Sequence, residues 1–123
     1  MNDEDDPHIV GVELLPQSLA VWRAINDDDP GAYPIRLRLS RRLNEFERQE
    51  IGRLGPPYMA AEDDAASVLL PHYFLEAVQT QLDGMNNQIA NAAAIGRDRR
   101  DKAIAEDERL QELEAEINKK LRE

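Results

Sequence analysis

The chain contains no cysteine, and this absence excludes disulfide bonds, thiolate nucleophiles and zinc sites built on cysteine. Aromatic residues are also scarce, with one Trp, three Tyr and two Phe in 123 residues. No apolar run approaches the roughly 18 residues that a membrane-spanning helix needs. The length supports one folded core, which must be built mainly from Leu, Ile, Val and Ala.

The chain is poor in the residues that catalysis needs. It has three serines, one threonine, three lysines and two histidines, and no serine lies in a G-x-S-x-G elbow. The glycines are scattered and none belongs to a phosphate-binding loop pattern. His8 and His72 would form a metal site only if a sheet brought them together beside a carboxylate. The sequence therefore predicts a non-enzymatic protein with no catalytic residue, no cofactor-binding residue and no metal ligand.

The formal net charge is −10, which disfavours direct nucleic-acid binding because affinity for phosphates comes from cationic side chains. The charge is uneven. Residues 1–33 and 57–84 carry the acidic excess, whereas 34–56 contains six basic and three acidic side chains. The acidic first residues do not resemble a basic and then apolar secretory signal, so we expect a cytoplasmic protein without a membrane segment.

Two strands are predicted in the first third of the chain. Residues 9–15 alternate partly and precede a proline, and residues 34–40 (PIRLRLS) alternate clearly, with the aliphatic side chains on one face and Arg and Ser on the other. Residues 18–25 fit either a two-turn helix or a strand. The run NDDDPG at 26–31 predicts a turn.

A short helix is predicted at 44–54, because Asn44 and Glu47 have the spacing of a capping box and a Gly-Pro-Pro sequence follows the helix. Residues 58–70 predict a hairpin with its turn at the acidic cluster near its middle. Pro71 is expected to end the second arm of this hairpin and to start the next helix.

No proline follows Pro71, and apolar residues recur at heptad spacing to the C-terminus. One register contains Leu75, Leu82, Ile89, Gly96, Ala103, Leu110 and Ile117. The companion register contains Val78, Met85, Ala92, Arg99, Glu106, Leu113 and Lys120. The registers are apolar at 75–92 and 110–117 and polar between them. This pattern fits either one helix of about 76 Å, at roughly 1.5 Å per residue, or a helical hairpin that turns near Gly96.

The element order β-β-α-β-β-α would arise from a ferredoxin-like βαββαβ sandwich if its last strand were moved to the front. We therefore predict an α+β fold with a small antiparallel sheet and packed helices, followed by a long C-terminal helix or helical hairpin. The predicted head spans residues 1–71 and begins with an acidic segment at 1–7. The predicted helical segment spans residues 72–123.

The arginine-rich strand and the turn after it form a candidate anion site, because guanidinium groups bind phosphates and carboxylates through paired hydrogen bonds. The residues concerned are Arg36, Arg38, Arg41 and Arg42. The alternative is that these arginines pair with the protein's own excess of carboxylates.

The heptad pattern predicts an interface for a second copy or another protein. Its candidate residues are Leu75, Val78, Leu82, Met85, Ile89, Ala92, Leu110, Leu113 and Ile117. The amide-rich stretch 79–91 flanks this seam, and its amides would either bond across a helix pair or lie in solvent.

Three functions follow from these patterns. The first is a self-associating structural or adaptor protein that works through its C-terminal helix as a homo-oligomer or with a protein partner. The second is a regulatory module that recognises an anionic ligand through Arg36 and Arg38. The third is an acidic decoy that binds a cationic partner surface.

Overall fold

The structure is a computed structural model that describes residues 5–15 and 32–122. Its elements in chain order are β1 (Ile9–Leu14), β2 (Ala32–Leu39), α1 (Glu45–Arg53), β3 (Met59–Ala60), β4 (Ser67–Phe74) and α2 (Leu75–Arg122). The segments predicted at 18–25 and 26–31 lie outside the described residues.

The four strands form one antiparallel sheet with the order β1-β2-β4-β3. Helix α1 connects β2 to β3, and β4 lies between these two strands, which makes a split β-α-β unit. Strand β1 adds to the free side of β2. This is the order that the permuted arrangement requires, and the predicted α+β class is confirmed.

Alternation along β2 divides the sheet into a core face and an outer face. Ile35 and Leu37 are completely buried, and they pair in register with Leu70 and Val68 of β4, which are buried too. Both helices contribute to the same core, through Ile51 of α1 and the first half of α2. The arginines of β2 therefore lie on the sheet face that the helices do not cover.

The predictions of a strand at 9–15 and of a hairpin at 58–70 are confirmed in outline. Strand β1 begins at Ile9 as expected and ends at Leu14, one residue early. The predicted hairpin is formed by β3 and β4, with Met59 opposite Leu69.

Pro71 does not end the strand as predicted. Strand β4 continues to Phe74, and the following helix begins at Leu75. The ladder between β2 and β4 changes register at this point, where Pro34 of β2 lies opposite Pro71 and the residue after it. A bulge tolerates proline because the interrupted ladder does not need the missing N–H.

The capping box of α1 is formed as predicted. The Glu47 N–H donates to Asn44 Oδ1 at 2.9 Å, and the Asn44 N–H donates to Glu47 Oε1 at 2.9 Å. Gly55, with a φ of 77°, takes the left-handed conformation just after the helix and ends it.

Helix α2 is a single helix of 48 residues, so the helical hairpin does not occur. At roughly 1.5 Å per residue it is about 72 Å long. Its buried residues lie between Val78 and Gly96, whereas every residue from 101 to 122 is exposed. The sheet and α1 therefore cover only the first half of the helix.

At Gly96 the backbone of α2 comes close to the backbone of α1. A Cβ built on Gly96 would lie 2.6 Å from Glu47 Cα and 2.7 Å from Glu47 N, which is too close for any side chain. Glycine in a helix interior costs about 1 kcal/mol relative to alanine. Here it permits backbone contact between two helices, so the position that suggested a break is a packing contact.

Replacing Gly96 with alanine is expected to force α1 and α2 apart and to lower the free energy of unfolding by about 1–3 kcal/mol. The matched control is Gly84→Ala in the same helix, where a Cβ meets nothing within 4 Å. That control is expected to gain about 0.5–1 kcal/mol. Urea unfolding of both variants tests this, and a Gly96→Ala protein as stable as the control would contradict the packing role.

Candidate functional site

Arg36 and Arg38 lie side by side on the outer face of the sheet, and both already hold carboxylates. Arg36 Nη2 lies 3.0 Å from Asp63 Oδ2, and Arg38 Nε donates to Glu13 Oε2 at 3.0 Å. Asp64 Oδ2 lies 3.8 Å from Arg36 Nη1 and 3.7 Å from Arg38 Nη1. The hydrogen bond from Arg36 keeps the pKa of Asp63 below its usual range. An anionic ligand would have to displace these carboxylates.

Arg41 lies apart from the strand arginines and is buried beneath the start of α1. Its Nη1 donates to Glu47 Oε1 at 2.9 Å and its Nη2 to Glu47 Oε2 at 2.6 Å. Its Nε donates to the carbonyl oxygen of Asp5 at 2.7 Å. Arg42, in the same turn, is exposed. The four predicted arginines therefore occupy three different environments and do not converge on one site.

Glu47 is the centre of this buried cluster and is completely inaccessible to solvent. Besides Arg41, it receives the Asn44 N–H, and Arg97 Nη1 of α2 lies 3.3 Å from its Oε2. Burial alone would raise the pKa of Glu47. The hydrogen bonds from Arg41 and Asn44 and the charges of Arg41 and Arg97 outweigh burial, so this pKa lies below its usual value. The cluster is a fully paired structural centre.

Two arginines that follow Gly96 in α2 form ion pairs with other parts of the chain. Arg97 Nη2 lies 2.7 Å from Asp6 Oδ1, and Arg99 Nη1 lies 2.8 Å from Glu50 Oε1. The guanidinium of Arg99 also lies 5.6 Å from the ring centre of Phe46. These arginines connect α2 to α1 and to the N-terminal segment.

Four of the predicted interface residues are part of the intramolecular core. Val78, Met85, Ile89 and Ala92 are each at most 3% exposed. They pack against the sheet and α1, so they are not free to contact another chain. Only the predicted interface residues that the head leaves exposed can contact another chain.

Leu75 and Leu82 remain partly exposed and line a groove of about 440 Å³ between α2 and β1. Val12 of β1 forms the opposite wall. This groove belongs to the head and lies next to β1. After β1, the structure describes the chain as far as residue 15.

The amides near the seam bind the chain's own sheet, which neither interpretation of the sequence predicted. Three of them accept hydrogen bonds: Gln88 from the Tyr58 hydroxyl, Gln81 from the Tyr73 hydroxyl, and Asn86 from the Ile9 N–H at 2.8 Å. Their recurrence every few residues beside the buried seam is the only sequence signal that could have indicated this role.

The distal part of α2, residues 101–122, presents an apolar stripe to solvent. Leu110, Leu113 and Ile117 are 48%, 44% and 50% exposed, and Leu121 continues the stripe. Within the described part of the chain, the ion pairs of this segment are local to the helix, as between Arg109 and Glu106. Among the described residues, the sheet and α1 therefore leave this stripe uncovered.

The two histidines lie at opposite ends of β2. The His8 N–H donates to the Ser40 hydroxyl just after β2, and His72 lies opposite Pro34 near its start. The sheet thus keeps them apart. Among residues 5–15 and 32–122, no group of three or more His, Cys, Asp or Glu side chains is placed to hold a metal ion.

Comparison of the chain with protein-family models, curated proteins and solved structures finds no match. In the ranges that the structure describes, no helix is both long enough and apolar enough to cross a membrane.

Replacing Glu47 with glutamine is expected to lower the free energy of unfolding at pH 7 by roughly 3 kcal/mol, because Arg41 stays buried without its counter-charge. The pKa of Glu47 is lower in the folded chain than its ordinary value of 4.5. The stabilisation from its ionised form is therefore present above about pH 4.5 and is lost as the pH falls through the folded-state pKa. The difference in free energy of unfolding between the wild type and Glu47→Gln should therefore shrink as the pH falls below about 4.5.

Urea unfolding at several pH values between 3 and 7 measures this difference. Glu106→Gln is the matched control, because Glu106 also pairs with an arginine but is exposed, and exposed pairs contribute little. Equal effects of the two substitutions at pH 7 would contradict the structural role of Glu47.

Proposed function

We propose that this chain is a non-enzymatic, self-associating adaptor in which the distal half of α2 pairs with another helix and thereby positions the α+β head. The single observation that supports it is the exposed stripe of Leu110, Leu113 and Ile117 on a helix that extends past the head. Apolar residues at heptad spacing are typical of helices that pair.

The energetics of the distal helix favour pairing. Residues 101–122 are exposed, whereas most helix stability in proteins comes from packing of an apolar face. Burial of apolar area contributes about 25 cal/mol per Å², so covering the stripe stabilises both the helix and the complex. Residues 101–122 contain seven acidic and five basic side chains, so their net charge of −2 keeps repulsion between paired distal helices low.

Ligand recognition by Arg36 and Arg38 is the weaker proposal, because Glu13, Asp63 and Asp64 already lie against both guanidinium groups. The distal helix does not favour the acidic-decoy function, because the stripe of this helix is apolar and its last turn is basic.

Replacing Leu110 and Ile117 with lysine is expected to abolish self-association, because each lysine places a charge in the apolar stripe. Light scattering during gel filtration of the full chain measures the mass. We expect a dimer or a higher oligomer at tens of micromolar for the wild type and a monomer for the double variant.

Ala105→Lys combined with Ala115→Lys is the matched control. Each alanine is five residues from Leu110, about 140° around the helix at roughly 3.6 residues per turn, so this variant adds the same charge away from the stripe. It should retain the wild-type mass. A monomeric wild type, or equal masses for both double variants, would overturn the proposal.

A further inference from the structure

The apolar stripe of the distal helix lies on the same face of α2 as the side chains that pack into the head. Leu113 follows the buried Ala92 by three heptads, and Leu110 follows the buried Gly96 by two. A straight helix drifts by about 20° per heptad, so Leu110 and Leu113 lie roughly 40° and 60° around the helix from Gly96 and Ala92. A helix bound to the stripe therefore lies on the same side of α2 as the head of the first chain.

This alignment disfavours an in-register parallel pair of straight helices. In such a pair, residues 78–100 of the second copy would run beside residues 78–100 of the first on the stripe side. The sheet and α1 of the first copy, which bury Val78, Met85 and Ala92, pack on that side of α2. An antiparallel pair meets no such obstacle, because each head then lies beyond the end of the other copy's helix.

Charged side chains in the heptad registers of the distal helix favour the same orientation. Glu106, Leu113 and Lys120 share one heptad register, so parallel pairing would place Glu106 against Glu106 and Lys120 against Lys120. Antiparallel pairing centred between residues 111 and 112 places Leu110 against Leu113 of the second copy. Each Glu106 then lies within one turn of Lys120 of the other chain. Like charges brought together oppose association, and opposite charges favour it.

The two ends of the distal segment have opposite charge. Residues 101–108 contain four acidic side chains and one basic, whereas residues 115–122, which lie opposite them in this register, contain three basic side chains and one acidic. Antiparallel pairing places the basic end of each copy beside the acidic end of the other. Parallel pairing would place the basic ends together.

From these observations we propose that the occupant of the stripe is a second copy of this chain, bound antiparallel along residues 101–122, with the two heads at opposite ends of the paired helices. This inference rests on the proposed self-association and adds its partner and orientation. The paired segment is about 33 Å long at roughly 1.5 Å per residue, which is three heptads and the short end of what sustains a coiled coil.

Distances between spin labels test the orientation, and the absence of native cysteine makes each labelling site unique. The full-length variants Lys102→Cys, Gln111→Cys and Asn118→Cys carry the label at exposed positions outside the stripe. Antiparallel pairing predicts axial separations of about 28 Å at residue 102, about 20 Å at 118 and about 2 Å at 111, at roughly 1.5 Å per residue. Pulsed electron–electron double resonance on each labelled protein measures these distances, and light scattering measures the mass of that protein.

A shortest distance at residue 111 with longer distances at both ends supports the proposal. Short and equal distances at all three sites, in a protein of dimeric mass, overturn the antiparallel orientation and leave self-association intact. A monomeric mass without dipolar coupling overturns both. Long distances at all three sites in a dimer assign pairing to another surface and also overturn both.

Discussion

The contact between Gly96 and the backbone at Glu47 determines where the head ends and the free helix begins. Because α1 touches α2 without an intervening side chain, the two helices cross at a fixed point above the sheet. The sheet covers the helix only up to this crossing, and every residue of α2 after residue 100 is exposed. A helix of 48 residues on a four-stranded sheet therefore leaves about half of its length for another partner.

The electrostatics of the head support the same contact. Glu47 is buried and ionised, because Arg41, Arg97 and the Asn44 N–H all face its carboxylate. Arg41 and Asn44 come from the segment before α1, Glu47 from α1 and Arg97 from α2, so one buried carboxylate connects three parts of the chain. Part of the excess negative charge is paired within the head, because carboxylates near both edges of the sheet form ion pairs with the arginines of β2.

Local patterns predicted the elements of this fold better than they predicted their partners. The capping box at Asn44 and the alternation of β2 depend on neighbouring residues and were readable from the sequence. The bulge at Pro71 depends on Pro34 in another strand, and the role of Gly96 depends on a helix fifty residues away. A heptad pattern cannot show whether its seam packs on a sheet or on another helix. The structure assigns its first half to the chain's own core, while the anion site and the interface remain predictions.

In the proposed dimer, residues 101–122 are held by a second copy and not by the head. Amide hydrogen exchange of the full chain over a range of concentrations tests it most directly, because a helix without packing opens easily and a paired helix is protected. We expect protection of residues 101–122 that rises as the concentration passes the dissociation constant, while the protection of β2 and β4 stays constant. Unprotected exchange in 101–122 at every concentration would contradict pairing through this segment.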